Sequence, residues 1–84
     1  MEELQKALVL VQARVSTAWT LRPTLAEIIG VKDVWVVTGT FDLVVFIECC
    51  PKKVGGVIRQ IQSKADQGVV ATLTLMEAAD EDQK

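Results

Sequence analysis

Val31-Lys32-Asp33-Val34-Trp35-Val36-Val37-Thr38-Gly39-Thr40-Phe41-Asp42-Leu43-Val44-Val45-Phe46-Ile47-Glu48 is the stretch on which the fold turns. It holds two runs of β-branched and aromatic residues, Val31 to Thr38 and Phe41 to Glu48, and such residues suit a pleated surface. Gly39-Thr40 separates them, and a Gly-X pair between two such runs predicts a hairpin closed by a two-residue type II′ turn. Upstream, Leu21, Leu25, Ile28 and Ile29 fall at i, i+4, i+7 and i+8, the apolar stripe of a helix. Pro23 is tolerated in a first turn, so this helix is predicted to begin near Trp19 to Leu21 and to stop at Gly30. Further upstream, Ala7-Leu8-Val9-Leu10-Val11 is too short for a buried helix and reads as a strand. Downstream, Cys49-Cys50-Pro51 ends the second strand of the hairpin. Val54, Val57, Ile58, Ile61 and Ala65 then form a second helical stripe. Gly68 stops that helix, and Val69 to Met76 forms a last strand.

The element order is β-α-β-β-α-β, an α+β arrangement of the ferredoxin-like kind. Right-handed crossovers place both helices on one face of a four-stranded antiparallel sheet, whose inner strands are the first and third. The face opposite the helices is then the informative one. A sheet with one wet face alternates apolar and polar residues, yet here both faces of every strand are apolar. Val44 and Phe46 oppose Leu43, Val45 and Ile47, and Leu8 and Leu10 oppose Ala7, Val9 and Val11. Two helices cover one face only. An uncovered apolar sheet would exceed the few hundred Å² that monomers ordinarily expose, so two copies are expected to pack sheet against sheet about a two-fold axis.

The composition agrees. The chain has 84 residues, of which 50% are hydrophobic, and forms one domain over residues 1–84 with an acidic tail at 78–84. So short a chain buries only about 60–65% of its unfolded surface, which makes association a natural source of stability. Nine Lys and Arg against eleven Asp and Glu give a net charge of −2, which argues against an electrostatic nucleic-acid binder. No apolar run approaches the about 20 residues of a membrane span, and the acidic start does not resemble a secretory signal. The two cysteines, Cys49 and Cys50, are adjacent and offer neither a disulfide framework nor a zinc site, so a reducing, cytoplasmic setting is expected. Histidine is absent, which removes the commonest general base and metal ligand. No catalytic residue, metal or cofactor is expected.

The residues also resemble a known family. Val37-Thr38-Gly39-Thr40-Phe41-Asp42-Leu43 is similar to the V-T-G-x-(aromatic)-D-(apolar) signature of the Lrp/AsnC regulatory domain, known as the RAM (regulation of amino acid metabolism) domain. Ile28-Ile29-Gly30-Val31 resembles its I-x-G-V segment, and Gly68-Val69 with Thr72-Leu73-Thr74 resembles its G-V-x-x-T-x-T last strand. The likeness runs from Lys6 to Glu77. It departs from the pattern at Thr40, where glutamate is common, and at Phe41, where tyrosine is frequent. Nothing before Lys6 could form the helix-turn-helix of longer members, so the chain resembles a stand-alone version of the domain. The resemblance implies a dimeric α/β barrel, a homodimer through sheet faces, and dimers associated into rings. It also implies a small effector, typically an amino acid, bound near the hairpin by Gly39, Thr40, Phe41 and Asp42, with Thr72 and Thr74 as hydroxyl partners. Asp42 would answer an ammonium group, while backbone N–H and hydroxyl donors would answer a carboxylate.

Plainer readings stand beside these. Gly39 serves the turn whether or not anything binds, Asp42 can instead hydrogen-bond backbone N–H groups at the hairpin, and threonines are ordinary strand residues. At the level of function, the alternative is an assembly partner that modulates full-length Lrp/AsnC paralogues without binding a metabolite. An enzyme is disfavoured by the lack of His and Tyr. An RNA binder is disfavoured by charge and by too few aromatics, and a metal chaperone by the contiguous cysteines after the third strand.

Overall fold

A computed structural model describes residues 4–78. The chain folds as β1 (Gln5–Ala13), α1 (Ala18–Ala26), β2 (Val31–Val36), β3 (Leu43–Cys49), α2 (Pro51–Gln62) and β4 (Val69–Met76), with a 3-10 turn (Ser63–Gln67) between α2 and β4. This is the expected ferredoxin-like α+β order. The four strands pair antiparallel in the spatial order β2-β3-β1-β4, so β1 and β3 are the inner pair. The acidic end, Ala78 apart, lies outside the described residues.

The register sorts the side chains into two sets, because directly paired residues share a face and neighbours in sequence do not. Ala7, Val9 and Val11 pair with Ile47, Val45 and Leu43, and Val34 pairs with Val45. These residues meet Leu21, Leu25 and Ile28 from the first helical segment and Val54, Val57 and Ile61 from α2, and together they are the buried core. On the other face Leu8 pairs with Phe46 and Leu75, Leu10 with Val44 and Leu73, and Trp35 with Val44. Among the described residues no helix covers this second set. Leu73 and Leu75 keep 48% of their surface exposed and Trp35 keeps 55%.

Three local expectations need correction. First, α1 ends at Ala26, not at Gly30. The chain tightens there through hydrogen bonds from Glu27 N to Thr24 O and from Ile28 N to Leu25 O, the 3-10 pattern common at helix ends. The tightening keeps Ile28 in the core but turns Ile29 out, 90% exposed. Pro23 lies in the second turn of α1, with no N–H to give to Trp19. Gly30 then takes φ +105°, and a Cβ there would stand 2.7 Å from Val57 Cγ2, so both the turn and the approach of α2 require glycine. Second, α2 ends at Gln62, and Ala65 lies exposed in the 3-10 turn that follows, off the helical stripe.

Third, the β2–β3 connection is wider than a two-residue turn. The last bond between these strands runs from Val37 N to Asp42 O at 2.8 Å and encloses residues 38–41. The reason lies in Asp42, whose backbone is shared between two neighbours. Its C=O accepts from β2, while its N–H turns the other way and donates to Val11 O on β1 at 2.9 Å. A residue divided in this manner cannot continue the narrow pairing that a two-residue turn needs.

Candidate functional site

The structure places four of the six residues singled out from the sequence on this one loop. Gly39 adopts φ +130° with nothing within 4 Å of a would-be Cβ, so it is required by the backbone alone. Thr40 is exposed, and its carbonyl accepts a hydrogen bond from Gln12 Nε2 at 3.2 Å. Phe41 is half-buried. Asp42 Oδ2 accepts from Ala13 N at 2.8 Å, so the carboxylate closes the end of β1 while its backbone links β1 to β2. Three strands therefore meet at Asp42, and one of its carboxylate oxygens is already engaged.

Thr72 and Thr74 come from β4 and stand in the rows of Val11 and Val9, on the helix-covered side. Thr72 Oγ1 accepts from Gln62 Nε2 of α2 at 3.2 Å. Thr72 shares its row with Val11 and Leu43, which sets it two strand spacings, about 10 Å, from the start of β3 beside the loop. The fold thus brings the loop and Thr72 to the same end of the sheet, with Thr74 one step further in.

Strand alternation alone did not reveal the opposite end of the open face. There a concavity of about 450 Å³ is lined by Leu8, Phe46, Leu75 and Met76 together with Lys6, Lys32, Glu48 and Glu77. The four charged residues come from β1, β2, β3 and the segment just past β4. Lys32 Nζ and Glu48 Oε1 form an ion pair at 3.1 Å, and Lys6 stands directly across the ladder from Glu48. Beside the groove the Trp35 and Phe46 rings pack at 5.0 Å between centroids and 58° between planes, and Trp35 Nε1 donates to Asp33 Oδ2 at 2.9 Å. Alternation along β1 sets Lys6 on the open face with Leu8 and Leu10, but only the strand pairing brings it to Glu48, Lys32 and Glu77.

Among the described residues there is no buried charged side chain and no group of three or more metal-ligating residues. Among the described residues no helix is long and apolar enough to cross a membrane. Both cysteines are free and half-buried. Burial pushes the Cys49 thiol up, the neighbouring Cys50 adds to the rise, and Lys53 opposes it.

Among solved structures, TTHA0845 from Thermus thermophilus aligns with a TM-score of 0.79 and 31% sequence identity, over 89% of this chain and 94% of that one. The chain belongs to the family of TTHA0845. FFRP-DM1 aligns at TM-score 0.75 and 21% identity, over 88% of this chain and 99% of that one. The transcriptional regulator NMB0573 of Neisseria meningitidis, solved as a complex with L-Met, aligns at TM-score 0.70 and 13% identity. The alignment with NMB0573 covers 90% of this chain and 51% of that one. The chain therefore shares its fold with FFRP-DM1 and with the transcriptional regulator NMB0573. No protein-family model matches the chain, and a search among curated proteins finds no match.

Proposed function

We propose that the chain is a sensing and assembly module of transcriptional regulation, without catalytic activity, working in the cytoplasm. Copies pair through the open sheet face as a homodimer of the α/β-barrel kind, and the dimers associate further into rings. A small effector, an amino acid, binds near the 38–42 loop and shifts that assembly. DNA contact belongs to another domain or chain, since the described elements contain no helix-turn-helix.

The observation that carries this reading is the open face. Leu8, Leu10, Val44, Phe46, Trp35, Leu73 and Leu75 form an apolar centre. Charged residues flank it at one end and Gln12, Thr40 and Asp42 at the other. An apolar centre with a polar rim is the anatomy of a protein interface. The fold shared with NMB0573 supports the effector. At the loop, Gly39, Thr40 and Phe41 would frame the ligand, the second oxygen of Asp42 would take its ammonium group, and Thr72 and Thr74 would supply hydroxyls.

One observation favours a second reading, an assembly partner of full-length Lrp/AsnC regulators that binds no metabolite. The Asp42 carboxylate already has a structural task at Ala13 N. Calorimetry with a panel of amino acids, L-Met included, separates the two when run beside multi-angle light scattering. Saturable heat together with a change in assembly mass supports the sensor. A stable dimer without heat, joined by capture of a helix-turn-helix paralogue, supports the partner. A species of about 9 kDa at micromolar concentration overturns both.

A further inference from the structure

The sheet has two outer edges, and they are built differently. At one edge β2 carries two exposed charges, Lys32 and Asp33, and its register against β3 shifts between Val31 and Asp33. Arg22 Nε of α1 also donates to Val34 O at 3.0 Å and so occupies a backbone acceptor of that strand. Charges, a bulge and a covering side chain are the means that keep an edge strand from pairing with another chain. The other edge, β4, has none of them. Val69 to Met76 contains no charged residue and no proline, and its register against β1 runs unbroken from Ala71 to Met76.

The groups that β4 leaves open follow from one bond. In an antiparallel ladder alternate residues turn both N–H and C=O toward the neighbouring strand, and the residues between them turn both away. Glu77 N donates to Lys6 O at 3.0 Å, which sets Leu75, Leu73 and Ala71 toward β1 and sets Met76, Thr74 and Thr72 toward the open edge. Among the described residues β1 is the one strand paired with β4, so these three residues present a row of donors and acceptors in the plane of the sheet.

We infer that this edge pairs with β4 of a second copy, antiparallel about a two-fold axis, so that two sheets continue into one. The strand is complementary to itself. Setting Thr74 opposite the partner's Thr74 puts Thr72 opposite the partner's Met76, and every outward N–H and C=O of the three residues then has a partner. The same register sets Leu73 beside the partner's Leu75, which carries the open apolar face across the junction without a break. With no charge on β4, two copies meet there without repulsion. The β2 edge offers no such match, since Lys32, Asp33 and the Arg22 contact stand in the way. The pairing is distinct from the sheet-face homodimer, because its bonds lie in the plane of the sheet whereas the face contact is made by side chains that stand out of it. It rests on the proposed function only in being the contact that joins face-paired dimers into a further assembly.

The test is amide exchange on the full chain, read beside light scattering. In the assembly the Thr72, Thr74 and Met76 amides are expected to exchange as slowly as those of Leu73 and Leu75, and to quicken on dilution as the mass falls. Thr74→Pro removes an N–H that the chain's own ladder does not use, a change that an edge strand accepts. By symmetry it removes both bonds of the central Thr74 pair, so it should weaken association about tenfold or more. Face-paired dimers of about 18 kDa, twice the 9.2 kDa chain, should remain. Val44→Asp should do the reverse and leave dimers joined by β4, so the edge and the face fail separately. In an equimolar mixture of isotope-labelled and unlabelled chains, contacts between chains should join Thr72 to Met76. These contacts and the wild-type exchange decide the matter even where the proline variant folds poorly. Free exchange at Thr72, Thr74 and Met76 in the assembly, or full mass kept by a folded Thr74→Pro, would overturn the β4 pairing and leave the open-face dimer standing. Contacts between chains from Thr74 to Val34 or Trp35 would overturn it in favour of the β2 edge. A lone chain of about 9 kDa would overturn both the edge and the face.

Discussion

The two faces of one sheet are made of nearly the same residues, and only one of them is finished. On β3, Leu43, Val45 and Ile47 are buried beneath the helices, with Val45 at 0% exposure, while their neighbours Val44 and Phe46 are half-buried by sheet partners alone. Strand chemistry cannot explain the difference, since Val44 and Val45 are the same residue one position apart. What differs is the layer above them. The contrast teaches that the chain encodes two apolar faces while the described elements supply cover for one.

The sharpest way to break this comparison is to place the same charge on each face. Val45→Asp puts a carboxylate among apolar side chains with no partner, a cost of several kcal/mol against a total stability of about 5–15 kcal/mol. Circular dichroism should find it unfolded or close to unfolding at 25 °C. Val44→Asp puts the same group on the open face. It should keep the native spectrum but lose the assembly, read as a fall in mass by light scattering. If Val44→Asp leaves the mass unchanged, the open face is not the interface.

A milder change measures the finished face alone. Leu25 is 0% exposed where α1 meets the sheet, so Leu25→Ala should cost about 2–5 kcal/mol, partly through the cavity it leaves. The denaturant midpoint should fall with little change in slope. If association through the open face supplies part of the stability, the midpoint of the wild-type chain should also rise with protein concentration.

Next in size is the junction where the two faces end. Asp42→Ala removes the acceptor for Ala13 N and leaves a part-buried N–H unpaired, a loss of about 1–3 kcal/mol. Amide exchange should quicken at Ala13 and along the 38–42 loop. Asp42→Asn keeps an oxygen in reach of that N–H and should recover much of the loss. If both variants bind amino acids as the wild type does, Asp42 belongs to the fold and not to a site.

How much of this was legible beforehand follows from range. The strands and the doubly apolar sheet were readable because each rests on a pattern within about eight residues, as in Leu43 to Cys49 and Gln5 to Ala13, and the strand order followed from their sequence by the crossover rule. The width of the 38–42 loop was not, because it depends on Val11 and Ala13, some thirty positions away, drawing on Asp42. The exposure of Ile29 was hidden for a related reason: a 3.6-residue period cannot show that the last turn tightens to a 3-10 pattern. The groove was the least legible feature. Lys6, Lys32, Glu48 and Glu77 each look like a solvated strand end on their own, and only the β2-β3-β1-β4 order gathers them at one mouth.

The smallest effect lies at Cys49, where the covered face runs out. Its side chain packs against the core beside Gly30, and burial holds its thiol above the ordinary value of 9.0, with Cys50 adding to the rise and Lys53 opposing it. A raised value means that the folded chain keeps this proton more tightly than the unfolded chain does. The associated stability is fully present below the unfolded thiol's pKa and is lost as pH climbs through the folded one. Denaturant midpoints for the wild type and Cys49→Ala should therefore converge between pH 8 and pH 10, roughly the range in which a thiol titrates. Iodoacetamide should label Cys49 more slowly than an unstructured thiol at pH 8, since the thiolate is the nucleophile. If the two midpoints stay parallel across that range, Cys49 is hydrated, and the covered face ends at Ile47 and not one residue pair later.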